Sequence, residues 1–243
     1  MNIIKLDATA STNAYLRTML TSFDLENFTT IVTENQFAGQ GQRGSVWVSE
    51  AGSNLTFSVL MKSDSKAIQR IFDLNVMVAL CVAITLKKIT NLPFFIKWPN
   101  DILSVNKKIS GILIENSIKA NGEIHSIVGI GINVNQKQFP ALSKASSLAL
   151  LTGESWNKDS LLHELLTALK KGYDALQRGE ICSVWEGYTA HLYRKNRVSS
   201  FELPNGVRFN GIIKRVTPYG KLVVDMENQG ECEFGLKEIQ LLY

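Results

Sequence analysis

No glycine or proline interrupts residues 66–89, where Ile68, Ile71, Phe72, Met77, Leu80 and Ile84 recur at a spacing that suits one long buried helix. Segments of strand period flank it on both sides. Upstream, TTIVTE at 29–34 reads as a strand, and NLTFSVLM at 54–61 alternates Leu55, Phe57, Val59 and Met61 on one face with smaller or polar residues between. Downstream, strands are predicted at 94–98, 111–117 and 124–134. A long helix set among strands points to a mixed α+β architecture.

Two further helices are expected. In TASTN at 9–13, Ser11 or Thr12 can cap a short helix bearing Leu16 and Leu20. Leu161, Leu165, Leu169, Tyr173 and Leu176 mark a second, with Asp159 placed to start it. After Arg194 the texture changes to short alternating segments broken by Pro204-Asn205-Gly206, Pro218-Tyr219-Gly220 and Asn228-Gln229-Gly230. These read as turns between strands of a small β barrel. The boundary falls between about 185 and 197, giving one unit over 1–190 and another over 191–243.

Composition narrows the function. With 45% hydrophobic and 20% charged residues over 243 positions, the chain can bury a sizeable core, so disorder is a poor reading. The net charge of +4 is spread without a Lys or Arg run, which leaves no electrostatic footprint for sequence-independent DNA binding. Cys81, Cys182 and Cys232 form no CxxC pair, so neither a disulfide framework nor a zinc site is indicated. The amino terminus lacks the apolar core of a leader, and the longest apolar run, 76–84, is far short of a membrane span. A cytoplasmic protein is expected. His125, His163 and His191 stand without partners at ligand spacing and receive no role.

Residues 36–47, QFAGQGQRGSVW, place Gly39, Gly41 and Gly44 in one loop with Gln40, Gln42 and Arg43 between them and Trp47 closing it. Such a loop can turn backbone N–H groups toward a ligand. No Lys follows the glycines as a P-loop requires, and no helical run follows as a dinucleotide fingerprint requires. Taken alone it reads equally well as a mobile hairpin tip.

FFIKWPND then sets Lys97, Trp98, Pro99, Asn100 and Asp101 where a strand ends. A Lys flanked by Ile96 and Trp98 can be partly desolvated and held as a point charge against a carboxylate or phosphate. Asn100 and Asp101 can hold polar ligand atoms or a metal ion, and a β-turn with a solvated Lys is the simpler alternative. KKISGILIE at 107–115 brings two more lysines and a strand from Gly111, and VGIGINVN at 128–135 carries Gly129 and Gly131 inside a strand. Glycine weakens a strand unless something must approach closely, so a ligand is expected on that strand, with the Asn133 amide at its end.

Together, STN at 11–13, AGQGQRGSVW at 38–47, KWPND at 97–101, KKISGILIE at 107–115 and GIGIN at 129–133 resemble biotin protein ligase in order and spacing. The resemblance covers about residues 1–190 as the catalytic domain, and the carboxy-terminal segment is similar to the family's SH3-like domain. It implies a biotin–[biotin carboxyl-carrier protein] ligase, which joins biotin to ATP as biotinyl-5'-adenylate and passes the biotinyl group to one lysine of a carrier domain, with Mg2+ on the phosphates. By position it implies biotin contacts from Ser11, Thr12, Asn13, Gln36, Gly39, Gln40, Gly41, Gln42, Lys97 and Gly111. It implies ATP or adenylate contacts from Gln42, Arg43, Trp47, Asn100, Lys108 and Asn133. Lys97 and Arg43 would be catalytic, and Asp101 would hold the metal.

One departure stands out: the family loop commonly reads GRGRRG, and here Gln40 and Gln42 replace two arginines. Glutamine can donate a hydrogen bond but cannot neutralise charge, so Arg43 or Lys108 must do more. The chain begins at these segments without the helix-turn-helix of many bacterial members, so no DNA partner is expected. A homodimer through a sheet edge is compatible. Lipoate or octanoyl transfer on a related fold is the nearest competing activity, and a non-enzymatic binding module on the terminal barrel is the other.

Overall fold

The computed structural model describes residues 1–64, 71–140, 142–227 and 229–243, with the backbone alone at Arg43. The first element is β1 (Ile3–Thr9), followed by α1 (Thr12–Ser22) and β2 (Thr30–Gln36). Ser11 caps α1, its Oγ accepting from the Ala14 N–H at 3.4 Å. Parallel pairing of β1 with β2 needs a crossover, and α1 supplies it. Next come the two-residue strands β3 (Gly39–Gln40) and β4 (Val46–Trp47), then β5 (Leu55–Ser63) and α2 (Ile71–Thr90). The helical pattern expected from residue 66 is thus realised from Ile71, residues 65–70 lying outside the described residues.

β6 (Phe95–Lys97), β7 (Asp101–Ser104), β8 (Lys107–Ile118) and β9 (Ile124–Ile132) complete a seven-stranded sheet in the order β1-β2-β5-β9-β8-β7-β6, antiparallel except for its first pair. The short α3 (Leu148–Thr152) precedes α4 (Lys158–Gln177) and α5 (Ile181–Ala190). Asp159 sits in the first turn of α4, but Asn157 is the cap, accepting from the Ser160 N–H at 2.8 Å. Asn157→Ala should therefore cost about 1 kcal/mol, read as a drop of roughly 2–4 °C in the thermal midpoint. An unchanged midpoint would remove the cap from the account.

The two faces of the sheet differ. Phe57, Val59 and Met61 of β5 and Val128, Ile130 and Ile132 of β9 pack with α2 and α4 residues such as Val78, Val82, Leu165 and Leu169 in one core. Alternate positions turn the other way, where Leu60 and Ile127 join Leu16 of α1 and Ile31 in a smaller cluster. β5 is accordingly buried on both faces, not on one as its alternation suggested. Beyond that cluster the same face carries Thr56, Gly129 and Gly131 instead of large apolar residues, and there it walls a cavity.

The carboxy-terminal segment folds as β10 (Val198–Glu202), β11 (Arg208–Val216), β12 (Leu222–Met226), β13 (Gly230–Phe234) and β14 (Gln240–Leu242). Its order, β13-β12-β11-β10-β14, is antiparallel throughout, as expected of an SH3-like barrel. Gly206 and Gly220, each at φ 83°, close two of the expected turns in the left-handed region. Of the third, Asn228 lies outside the described residues. The Trp98 indole N–H donates to the Gly220 carbonyl at 2.9 Å, and the Tyr193 N–H donates to the Ile96 carbonyl at 2.8 Å. The first contact ties the β11–β12 turn of the second sheet to the strand end that carries Lys97, and the second ties the segment leading into that sheet to the same strand.

Candidate active site

A cavity of about 590 Å³ opens between the start of α1, the β3–β4 ribbon, strands β5, β8 and β9, the β6–β7 turn and two loops of the second sheet. Its size suits a ligand of several rings.

One end is a preassembled polar corner. Gln36 Oε1 accepts from the Thr12 N–H at 2.9 Å and from the Thr12 hydroxyl at 3.2 Å. Ser58 Oγ lies 2.7 Å from Thr12 Oγ1 and 2.6 Å from Asn13 Oδ1 and donates to one of them. Asn13 Nδ2 donates to Glu115 at 2.8 Å, and Glu115 also holds Arg17. Ser11, Thr12, Asn13, Gln36 and Ser58 are all buried. Buried amides and hydroxyls held this firmly present fixed donors and acceptors at low reorganisation cost. Ser58 was missed in the sequence, where it reads as a small residue between Phe57 and Val59.

The Gly-rich loop is a ribbon in which Gly39 pairs with Trp47 and Gln40 with Val46, closed by a 3-10 turn over Gln42–Gly44 and a bond from the Gly41 N–H to the Ser45 carbonyl at 2.7 Å. A Cβ at Gly39 would stand 2.5 Å from the Trp47 carbonyl oxygen and 2.6 Å from Gln36 Nε2, so glycine lets the ribbon lie on the polar corner. Gly39 itself is buried behind the cavity wall, while Gln40, Gly41 and Gln42 line it. The Arg43 side chain lies outside the described residues, and only its place in the turn is known.

The strand glycines do admit a close approach, but in this structure from the protein itself. A Cβ at Gly131 would lie 2.4 Å from Trp47 Cε2, one at Gly111 3.2 Å from Trp47 Cζ3, and one at Gly129 2.4 Å from Asn13 Oδ1. The Trp47 indole and the Asn13 amide stand over the strand, and Gly111, Gly129 and Gly131 remain part of the cavity lining. The Trp47 Nε1–H is buried without a partner, a donor available to a bound ligand.

At the other end stand the cations. Lys108 Nζ pairs with Asp101 at 2.7 Å and lies 5.6 Å from the Trp47 ring centroid. Lys97, half-buried at the end of β6, has its Nζ 4.9 Å from the centroid of the Tyr243 ring. Burial holds the Lys97 ammonium below the ordinary lysine value of 10.5, with Asp101 opposing and the Lys108 and Lys144 charges adding to the depression. Tyr243, from the second sheet, escaped the sequence reading because nothing local ties residue 243 to residue 97.

Two of the expected ligand groups also brace the fold. Asn100 lines the cavity, but its side-chain amide donates to the Ile112 carbonyl at 2.5 Å, fixing the β6–β7 turn to β8. Asn133 is buried outside the lining and donates to the Ser146 carbonyl at 3.0 Å and the Lys108 carbonyl at 3.4 Å. Asp101 is committed to Lys108, and no group of three metal-binding side chains occurs among the described residues.

The family described as Biotin/lipoate A/B protein ligase matches residues 6–135. The bifunctional ligase/repressor BirA of Bacillus subtilis is 34% identical over 220 residues, covering 88% of this chain and 66% of that protein. The biotin–[acetyl-CoA-carboxylase] ligase of Mycobacterium tuberculosis is 25% identical over 223 residues, covering 90% and 81%. Among solved structures, biotin protein ligase from Aquifex aeolicus in complex with biotin and ATP superposes with a TM-score of 0.82 at 26% identity, covering 99% of this chain and 98% of that one. The chain spans 64% and 66% of the length of the two Bacillus ligase/repressors it matches. A family match over more than half of its residues, on the fold and cavity described above, means that the chain belongs to the biotin/lipoate A/B protein ligase family.

Proposed function

We propose that this chain joins biotin to ATP, releasing pyrophosphate, and transfers the biotinyl group from the adenylate to a lysine of a biotin carboxyl carrier protein. The observation that carries this reading is one cavity with a buried amide and hydroxyl corner at one end and lysines at the other. A fused ureido ring offers N–H donors and a carbonyl acceptor to such a corner, and its acid tail belongs with the cations. A dithiolane ring offers no such groups, and a polar site discriminates strongly against a ligand that leaves it unpaired. The names of the relatives and the ligands of the Aquifex structure support the same choice.

In this reading Ser11, Thr12, Asn13 and Gln36 hold the ring system, with Ser58 fixing Thr12 and Asn13. Lys97 and Lys108 bring the carboxylate to the α-phosphate by offsetting the repulsion between two anions. A carboxylate oxygen bonds to the α-phosphorus as the bond to the β-phosphate oxygen breaks, and pyrophosphate leaves with the electron pair. Gln40, Gly41, Gln42 and Arg43 close over the mixed anhydride and keep water out. The carrier amine then attacks the acyl carbon, AMP leaves, and the amide nitrogen loses its proton.

Mg2+ would travel with the triphosphate. Asp101 and Glu202 line the cavity but are ion-paired to Lys108 at 2.7 Å and to Arg208 at 2.6 Å, so phosphate oxygens and water would supply most of its ligands. Residues 1–190 would form the catalytic unit and 191–243 its companion. Among the described residues no helix is long and apolar enough to cross a membrane. A reducing, cytoplasmic setting is proposed on the free thiols of Cys81, Cys182 and Cys232. A homodimer through a sheet edge would use β1, whose outer side carries no strand among the described residues.

Exchange of labelled pyrophosphate into ATP tests the reading. Exchange is expected with biotin and not with lipoate or octanoate. Exchange with lipoate alone would transfer the assignment to lipoate, and no exchange with any of the three would remove ATP activation altogether.

A further inference from the structure

The loop lacks two of its family's usual cations, yet a polyphosphate must still be held. A second group of charges lies next to the cavity at its Lys97 end, where Lys97 lines the cavity and its neighbours Lys144 and Tyr243 stand behind the lining. Lys144 Nζ stands 4.3 Å from the centroid of the Tyr243 ring, the ring that also faces Lys97 Nζ at 4.9 Å. Two ammonium groups thus share one aromatic residue, with Lys108 close enough for its charge to act on Lys97. Asp101 pairs with Lys108, and no carboxylate among the described residues forms an ion pair with Lys97 or Lys144.

This arrangement is fixed by the backbone. The Lys108 N–H donates to the Lys144 carbonyl at 2.7 Å and the Ser146 N–H donates to the Lys108 carbonyl at 3.1 Å, so the segment carrying Lys144 runs alongside the start of β8. The Tyr243 ring meets Tyr193 edge-on with centroids 5.5 Å apart, and the Tyr193 hydroxyl donates to Asn106 at 2.6 Å. Like charges collected on a fixed ring repel one another unless an anion joins them.

We infer that Lys144, Lys97 and Tyr243 form the seat of the outer two phosphates of the nucleotide, and hence of the departing pyrophosphate. This rests on the ATP-dependent reading above and names the group that makes up for Gln40 and Gln42. Lys97 stands between this seat and the acid and α-phosphate, which it faces together with Lys108 against Gly111 and Trp47. As the carboxylate oxygen bonds to the α-phosphorus and the bridging oxygen departs with its electron pair, the growing negative charge on pyrophosphate falls between the two ammoniums. The Tyr243 phenol, pushed up to about 12 by burial and by Asp101 and Tyr193, stays protonated as a neutral donor.

Lys144 is exposed, so its replacement leaves the core intact. Titration of inorganic pyrophosphate into the full chain, followed calorimetrically, should show about tenfold weaker binding for Lys144→Ala, with most of the loss restored in Lys144→Arg. The KM for ATP should rise by about the same factor while the affinity for biotin stays unchanged. Tyr243→Leu should weaken pyrophosphate in parallel, and Lys144→Ala carries the test if that variant fails to fold. Unchanged pyrophosphate affinity and ATP KM in Lys144→Ala, or equal losses for biotin and ATP, would overturn the subsite. Wild-type protein without biotin-dependent exchange would instead overturn the reading on which it rests.

Discussion

Lys97→Ala is expected to lower biotinyl transfer by about 10²–10³-fold at saturating biotin and ATP, the range seen when one preorganised charge-stabilising group is removed. The side chain is half-buried and its ammonium faces the Tyr243 ring, while Lys108 is already ion-paired with Asp101 and Lys144 is exposed, so neither neighbour reproduces the buried charge at the end of β6. Steady-state kinetics with a purified carrier domain check this, and near-normal turnover would remove Lys97 from the chemistry. The pH profile carries a second signature. The ammonium is the useful form and burial depresses its pKa, so activity should fall on the alkaline side at a lower pH than 10.5. Lys97→Arg, whose charge does not titrate in that range, should flatten that limb even if turnover drops.

Gly131→Val should reduce biotin affinity by at least about 100-fold. Its Cβ would stand 2.4–2.8 Å from three atoms of the Trp47 indole, which cannot retreat while Trp47 remains paired with Gly39. The indole must leave the floor, and with it the ribbon loses its seat over the polar corner. Valine suits a strand, and overpacking of this kind costs about 1–3 kcal/mol, so the variant should fold. Calorimetric titration with biotin measures the effect. Retained wild-type affinity in a folded variant would show that Trp47 can move without consequence for the site.

What could be read from the sequence followed from period and from glycine. The α2 and α4 patterns and the turns at Gly206 and Gly220 lie in local spacing, and the structure places each of them. Gly129 and Gly131 correctly signalled a close approach, but a glycine says that space is needed and not who occupies it, so Trp47 and Asn13 could not be named. α5 was not among the expected helices, and it carries Gly187 in its interior. A Cβ there would lie 2.8 Å from Leu80, so the glycine lets α5 pack closely on α2. Asn100 and Asn133 also brace strands through their side-chain amides, a role that the sequence does not separate from a ligand contact because a short amide looks the same in either place. Ser58, Lys144 and Tyr243 depend on contacts between distant segments, which no local pattern announces.

The most direct test is a crystal structure of the full chain grown with biotin and a non-hydrolysable ATP analogue. The account predicts the ureido ring among Thr12, Asn13 and Gln36, the acid tail directed toward Lys108 and Lys97, and the Gly-rich ribbon closed over both ligands. Biotin bound anywhere outside this cavity, or bound here with its acid tail turned away from both lysines, would contradict it.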